Sequence, residues 1–196
     1  LYPAQGGIEA LPRSFLPGVR EVECGSTLIE VDTERRQAVF ACTRPDGSQE
    51  TRVEEYETLV STSPVPELVR RCTVLPEAVR EAAEGLRCVS VYNVNLGVPR
   101  EQITDKHWVY FPEPGSVFYR VGFCSNFSKA AAPPGTSSMY IEVARRPGER
   151  ADRGELERLC LKGLRSCGML KSADKLAARL WIDIPCAYVV YDRHRP

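Results

Sequence analysis

The chain has no net charge to speak of: 26 Lys and Arg are set against 26 Asp and Glu. That balance supplies no global field for nucleic acid or for an anionic membrane surface. Long apolar runs are missing too, and none approaches the ~20 residues of a membrane-spanning helix. No Cys-x-x-Cys pair occurs among the eight cysteines, Cys24, Cys42, Cys72, Cys88, Cys124, Cys160, Cys167 and Cys186. The two histidines, His107 and His194, stand at no metal-ligand spacing from any cysteine pair, so no metal ligand is assigned. Most of the cysteines sit in apolar stretches, as small buried hydrophobes do. This predicts a reduced, cytoplasmic protein, although the even count leaves disulfides open. Neither GxGxxG nor GxxxxGKS/T occurs, so nothing here by itself cradles a nucleotide pyrophosphate. There is no initiator methionine and no visible signal peptide. A chain that starts at "LYPAQGG" and stops at "YDRHRP" is expected to be a piece of a longer protein.

What is present has a globular composition. The 196 residues, 43% of them apolar, suffice for one large domain or two small lobes. "GGIEALPRSF" reads as a glycine turn opening a short helix. "VREVEC", "TLIEVD" and "QAVFACT" read as short strands, and the Asp-Gly signal of "RPDGSQ" closes that group. "YETLVSTSP" reads as an apolar strand ending in small hydroxyl residues before Pro64. "PVPELVRR" and "LPEAVREAAEGL" read as helices, the second with Pro76 near its start and Gly85 near its end. "RCVSVYNVNLGV", "KHWVYF", "VFYRVGF" and "SSMYIEVA" read as strands separated by turn chemistry, which predicts an antiparallel sheet. The best helix spans 153–167. Leu156, Leu159, Cys160, Gly163, Leu164 and Cys167 recur there at helical spacing, and Asp152 with Glu155 resembles a capping box. The tail "KLAARLWIDIPCAYVVYD" reads as one more strand, interrupted at Pro185. The expected class is α+β.

The stretch His107–Ser128 carries seven aromatic residues in twenty-two, with one arginine. Alternation explains how both fit one strand. In 89–98, Tyr92, Val94, Leu96 and Val98 share a face, and Asn93, Asn95 and Gly97 share the other. In 118–124, Tyr119, Val121 and Phe123 share a face, and Phe118, Arg120, Gly122 and Cys124 the other. The bulky faces are predicted to pack on helix 153–167. The other face is a shallow floor of amides and glycines with one guanidinium. Arginine presents a planar fork that fits phosphate or carboxylate. The plainer alternative is a solvated face on which Arg120 pairs with a neighbouring Glu. Cys124 as a nucleophile lacks a histidine placed by sequence. Asp183 and Asp192 as an acid–base pair compete with ordinary surface carboxylates. Arg35, Arg36 and Arg44 read as a wetted hairpin.

"LYPAQGG", "YETLVSTSP" and "DKHWVYFPEPGSVFYRVGFCSNFS" together resemble the flavin-dependent UDP-galactopyranose mutases and the wider amine oxidase and protoporphyrinogen oxidase superfamily. The resemblance runs as far as "GMLKSADKL" and is most specific from Trp108 to Ser128. It implies that 1–64 belong to a FAD-binding lobe, as a helix, a β-meander and a return strand. It implies that 65–196 form a mostly antiparallel substrate lobe covered by helices. The Gly-rich FAD fingerprint would lie upstream of Leu1, and a further flavin-contacting segment beyond Pro196. Leu28, Ser61, Thr62 and Ser63 are the flavin-contacting positions so implied.

In the mutases an arginine at the "FYR" position holds a sugar nucleotide's diphosphate, and Arg120 occupies it. A tyrosine of their "SNYS" motif helps, but here it is Phe127. A second diphosphate tyrosine maps near "IPCAYVVYD", onto Cys186 with Tyr188 nearby. Arg120, Asn93, Asn95, Tyr110, Phe127 and Tyr188 are therefore the expected substrate-binding residues. Three functions follow from the resemblance. One is a FAD-dependent oxidoreductase passing hydride from a polar or anionic small molecule to flavin. Another is a mutase acting on a sugar nucleotide through reduced FAD. The third is a non-catalytic binding or scaffold lobe, since this chain alone is not expected to hold FAD tightly without the remainder of the flavoprotein.

Overall fold

The computed structural model describes residues 2–192; Leu1 and residues 193–196, among them His194, lie outside the described residues. In chain order the elements are α1 (Ala10–Phe15), β1 (Ser26–Asp32), β2 (Gln37–Thr43), β3 (Gln49–Glu55), α2 (Val65–Arg71), α3 (Glu77–Glu84), β4 (Cys88–Val98), β5 (Trp108–Tyr110), β6 (Arg120–Gly122), α4 (Cys124–Phe127), β7 (Ser137–Arg145), α5 (Arg153–Ser166) and β8 (Ala178–Val189). Mixed helices and antiparallel sheets make the fold α+β, and no helix among the described residues is long and apolar enough to cross a membrane. The described residues divide into two compact units, 19–87 with 189–192, and 2–18 with 88–188. Helices α2 and α3 thus group with the first sheet, and 2–18 with the second.

The first unit is the meander β1-β2-β3. Its turns are made by short side chains bonding their own backbone. Asp32 Oδ1 accepts from the amides of Glu34 and Arg35, and Asp46 Oδ1 from Ser48, beside Gly47 at φ 84°. Val31, Ala38, Cys42 and Cys72 are its buried apolar residues on and beside the sheet. Arg71 Nε donates to the Leu28 carbonyl at 2.6 Å and ties α2 to β1. Two predicted strands are absent. "VREVEC" joins no ladder, and its Glu23 instead pairs with Arg52 across the sheet surface. "YETLVSTSP" is also irregular, with Val60 83% exposed. An apolar run becomes a strand only where an edge supplies its backbone hydrogen bonds. No described strand does so here.

The second unit is a five-stranded sheet in the order β5-β6-β7-β4-β8. Tyr92, Val94, Leu96, Val98, Val121, Met139, Ile141 and Val143 are buried in one cluster with Leu156, Cys160 and Leu164 of α5. This is the packing that the alternation and the helical spacing predict. Asp152 caps α5 by accepting from the Glu155 amide at 2.7 Å. Gly163 lets Phe118 approach, since a Cβ there would lie 2.8 Å from its ring. Phe118 was expected on the polar face. The backbone bends at 117–119 before β6 begins, so period-2 alternation does not extend back to it. At the other end, Cys124 opens α4 rather than continuing the strand. Strand β8 runs through Pro185 without interruption. It is an edge strand of the sheet, and its Pro185 carbonyl accepts from the Ser90 hydroxyl of β4.

Candidate functional site

The polar face of the second sheet is built in rows by strand register. One row reads Tyr110, Arg120, Glu142, Asn93. The next reads Trp108, Gly122, Tyr140, Asn95, and Ser138 stands opposite Gly97. Gly122 is needed sterically: a Cβ there would lie 2.1 Å from the Tyr140 ring, which covers it. The glycine makes room for an aromatic side chain and not for an unusual backbone.

Arg120 stands at the centre of the first row. Its Nη2 pairs with Glu142 and donates to the Tyr188 hydroxyl, and its Nη1 donates to the Tyr110 hydroxyl at 3.3 Å. The guanidinium carbon lies 5.7–5.9 Å from the ring centres of Tyr110, Tyr119 and Tyr188. Glu142 is only 5% exposed and also accepts from Tyr119 and, at 3.2 Å, from Tyr188. A carboxylate this buried needs such donors. Burial works against the Arg120 charge, but the bonds to Glu142 and Tyr110 outweigh it and hold its pKa above the ordinary value. Burial, then the bond to Glu142, pushes the Tyr119 phenol well above the ordinary range. Burial also raises Tyr140. The Arg120 Nε is buried without a hydrogen-bond partner.

The pairing with a neighbouring Glu, weighed from the sequence as the plainer alternative, is therefore present, with Glu142 as the partner. The guanidinium is charge-compensated, so an added anion must compete with Glu142. Polar capacity remains around it. Asn95 Nδ2 donates to Asn93 Oδ1 at 2.7 Å, leaving the Asn93 amide hydrogens and the Asn95 carbonyl available toward that face. Tyr110 and Tyr188 are about half exposed, so the floor is open above.

Arg120, Tyr110 and Tyr188 meet directly, and Asn93 and Asn95 share their face. Phe127 lies on α4, stacked at 5.6 Å on Trp108 and 4.9 Å from His107. It borders the floor through Trp108. Leu28, Ser61, Thr62 and Ser63 lie in the first unit. Leu28 pairs with Phe40, and the Ser61 and Ser63 hydroxyls bond each other at 2.8 Å. These small hydroxyls on an unladdered segment fit part of a flavin contact. With no Gly-rich loop in the chain, the residues present do not fit the pyrophosphate. Asp183 is paired with Arg145 and Asp192 with Arg87. No group of three or more His, Cys, Asp or Glu among the described residues could hold a metal ion.

Glu142, Tyr119 and Tyr140 were not singled out from sequence. Glu142 had a signal: it is the one acid in "SSMYIEVA", and alternation sets it with Tyr140 opposite Met139, Ile141 and Val143. Tyr119 was assigned to the wrong face for the same reason as Phe118.

The sequence matches the family model described as flavin containing amine oxidoreductase over residues 1–191. No curated protein sequence matches. Among solved structures the chain is similar to reduced UDP-galactopyranose mutase, with TM-score 0.80 and 23% identity over 95% of this chain and 40% of that one. It is also similar to a protoporphyrinogen oxidase-like protein from Exiguobacterium sp. 255-15, with TM-score 0.66 and 16% identity over 94% and 40%. An oxidoreductase from Methanosarcina mazei aligns with TM-score 0.65 and 12% identity over 91% and 42%. These identities speak for fold alone, and the chain spans about 40% of the length of those proteins.

Proposed function

Because the chain belongs to the flavin-containing amine oxidoreductase family, matched along residues 1–191, we propose that it is part of a FAD-dependent oxidoreductase whose polar sheet face orients a small polar or anionic substrate beside the flavin. On this reading the five-stranded unit is the substrate lobe and the three-stranded unit belongs to the FAD lobe. The observation that carries it is the Arg120 row, a partly buried ion pair ringed by phenols on an otherwise open sheet face.

Bound FAD would supply the hydride acceptor. Leu28 and the Ser61–Ser63 segment would contribute contacts to it, with the pyrophosphate held by residues outside this chain. The floor's own work is positioning. Glu142 fixes the Arg120 fork, Tyr110 and Tyr188 hydroxyls extend it, and Asn93 and Asn95 offer a donor and an acceptor. Tyr119 stays protonated at neutral pH, so it is a hydrogen-bond donor to Glu142 and not a base. Charge compensation by Glu142 favours a substrate rich in hydroxyl or amide groups over a strongly charged anion. Trp108, Phe127 and Tyr140 provide apolar surface at the floor's edge.

The meeting of Arg120 with the Tyr188 hydroxyl favours a second reading, a sugar-nucleotide mutase, since the resemblance maps a diphosphate tyrosine near Tyr188. Phe127 counts against it, lacking the hydroxyl of the "SNYS" tyrosine. Titrating a UDP-sugar into the reduced full-length flavoprotein, followed by flavin fluorescence, separates the two. No binding is expected from the oxidoreductase reading; saturable binding lost in Arg120→Ala would establish the mutase reading instead.

A further inference from the structure

Two thiols meet where β4 begins. Cys88 opens β4, and Cys186 lies in the neighbouring edge strand β8. The Cys88 Sγ donates at 3.9 Å to the carbonyl of Pro185, the residue before Cys186, and the Cys186 thiol is near enough to raise the Cys88 pKa. Both are free and half-buried, unlike Cys42, Cys72 and Cys160, which are buried. Small oxidants therefore reach the pair.

We propose that Cys88 and Cys186 form a redox-active dithiol, a modification site that closes to a disulfide and fastens edge strand β8 to β4. The proposal does not depend on the identity of the substrate or on flavin. A peroxide is the oxidant. The Cys186 thiolate attacks one peroxide oxygen, the O–O bond breaks, and Cys186 becomes a sulfenic acid as one water leaves. The Cys88 thiol then attacks that sulfur, the S–S bond forms, and a second water leaves. The two thiols lose two electrons and two protons, and the peroxide is reduced to two waters. A disulfide such as oxidised glutathione gives the same product by exchange and leaves as two thiols. Burial, then the neighbouring thiol, pushes Cys88 up to about 11, which makes it a poor first nucleophile.

The test treats the folded protein with hydrogen peroxide or oxidised glutathione, quenches by alkylation and digests with trypsin. Peptides 88–100 and 180–193 are expected to be joined, with two of the eight thiols lost. Dithiothreitol should restore both. Cys88→Ser and Cys186→Ser should each eliminate the joined peptide. Should either variant fail to fold, phenylarsine oxide, which bridges adjacent thiols, is expected to protect these two peptides of the natural chain from alkylation. Free thiols at both positions after oxidant, sulfinic acid at Cys186 without the link, or absence of arsenical protection would each overturn the proposal.

Discussion

The five-stranded sheet puts the same strands into two different environments. Toward α5, Val94, Leu96, Val121 and Ile141 are sealed against Leu164 with hydrocarbon on every side. On the opposite face the same strands carry Asn93, Asn95, Arg120, Tyr140 and Glu142, and the outer phenols remain half exposed. One face is held by area removed from water, at roughly 25 cal/mol per Å². The other is held by a few directional bonds around one compensated charge pair. Alternating side chains let one backbone serve both ends, and a slip of one residue would exchange them.

The largest effect expected from separating the faces is on the apolar side. Leu164→Ala should cost about 2.7–5 kcal/mol, because it opens a cavity under β4 and β7. Urea unfolding would measure this, and ligand affinity per folded molecule should stay unchanged. A parallel loss of affinity would erase the distinction between the faces. On the polar side, breaking a fully buried ion pair costs about 3–5 kcal/mol. The Arg120 side chain is 21% exposed, so solvent screening brings the expected cost of Arg120→Ala down to about 1–3 kcal/mol. Glu142→Gln should cost a similar amount. A double-mutant cycle should show coupling of about 1–3 kcal/mol, and additive single effects would mean that the pair does not act as a unit. The smallest effect lies in alkali. Tyr119 has its folded pKa raised above its unfolded value near 10.0. Its contribution is therefore fully present below pH ~10 and is lost as pH rises beyond that. Tyr119→Phe should flatten this alkaline fall, as read from thermal midpoints between pH 8 and 11.

Much of this was legible in the residues. The patterns of "RCVSVYNVNLGV" and "DRGELERLCLKGLRSCGML" set the core face and its covering helix, because period and burial agree in both. The polar floor followed from Asn93, Asn95 and Gly122. What escaped has a physical cause in each case. "VREVEC" and "YETLVSTSP" have the composition of strands, but pairing depends on a partner edge, which composition does not report. Tyr119 and Phe118 exchanged faces because a bend precedes β6, and three strand residues are too few to reveal where alternation starts. Glu142 was overlooked because its partner, Arg120, is 22 residues away and is brought opposite only by strand register.

Pro185 in β8 bears on how the sheet's rim is fastened. Twelve residues long, β8 lies at an edge of the sheet. The Pro185 carbonyl accepts from the Ser90 hydroxyl at 2.5 Å and from the Cys88 thiol at 3.9 Å, both on β4. The N–H and C=O of one strand residue point to the same side, so the N–H that proline lacks is missing from the β4 ladder and not from the outer rim. The residue that looked from sequence like a break leaves the strand intact, and side chains of β4 make the joint there.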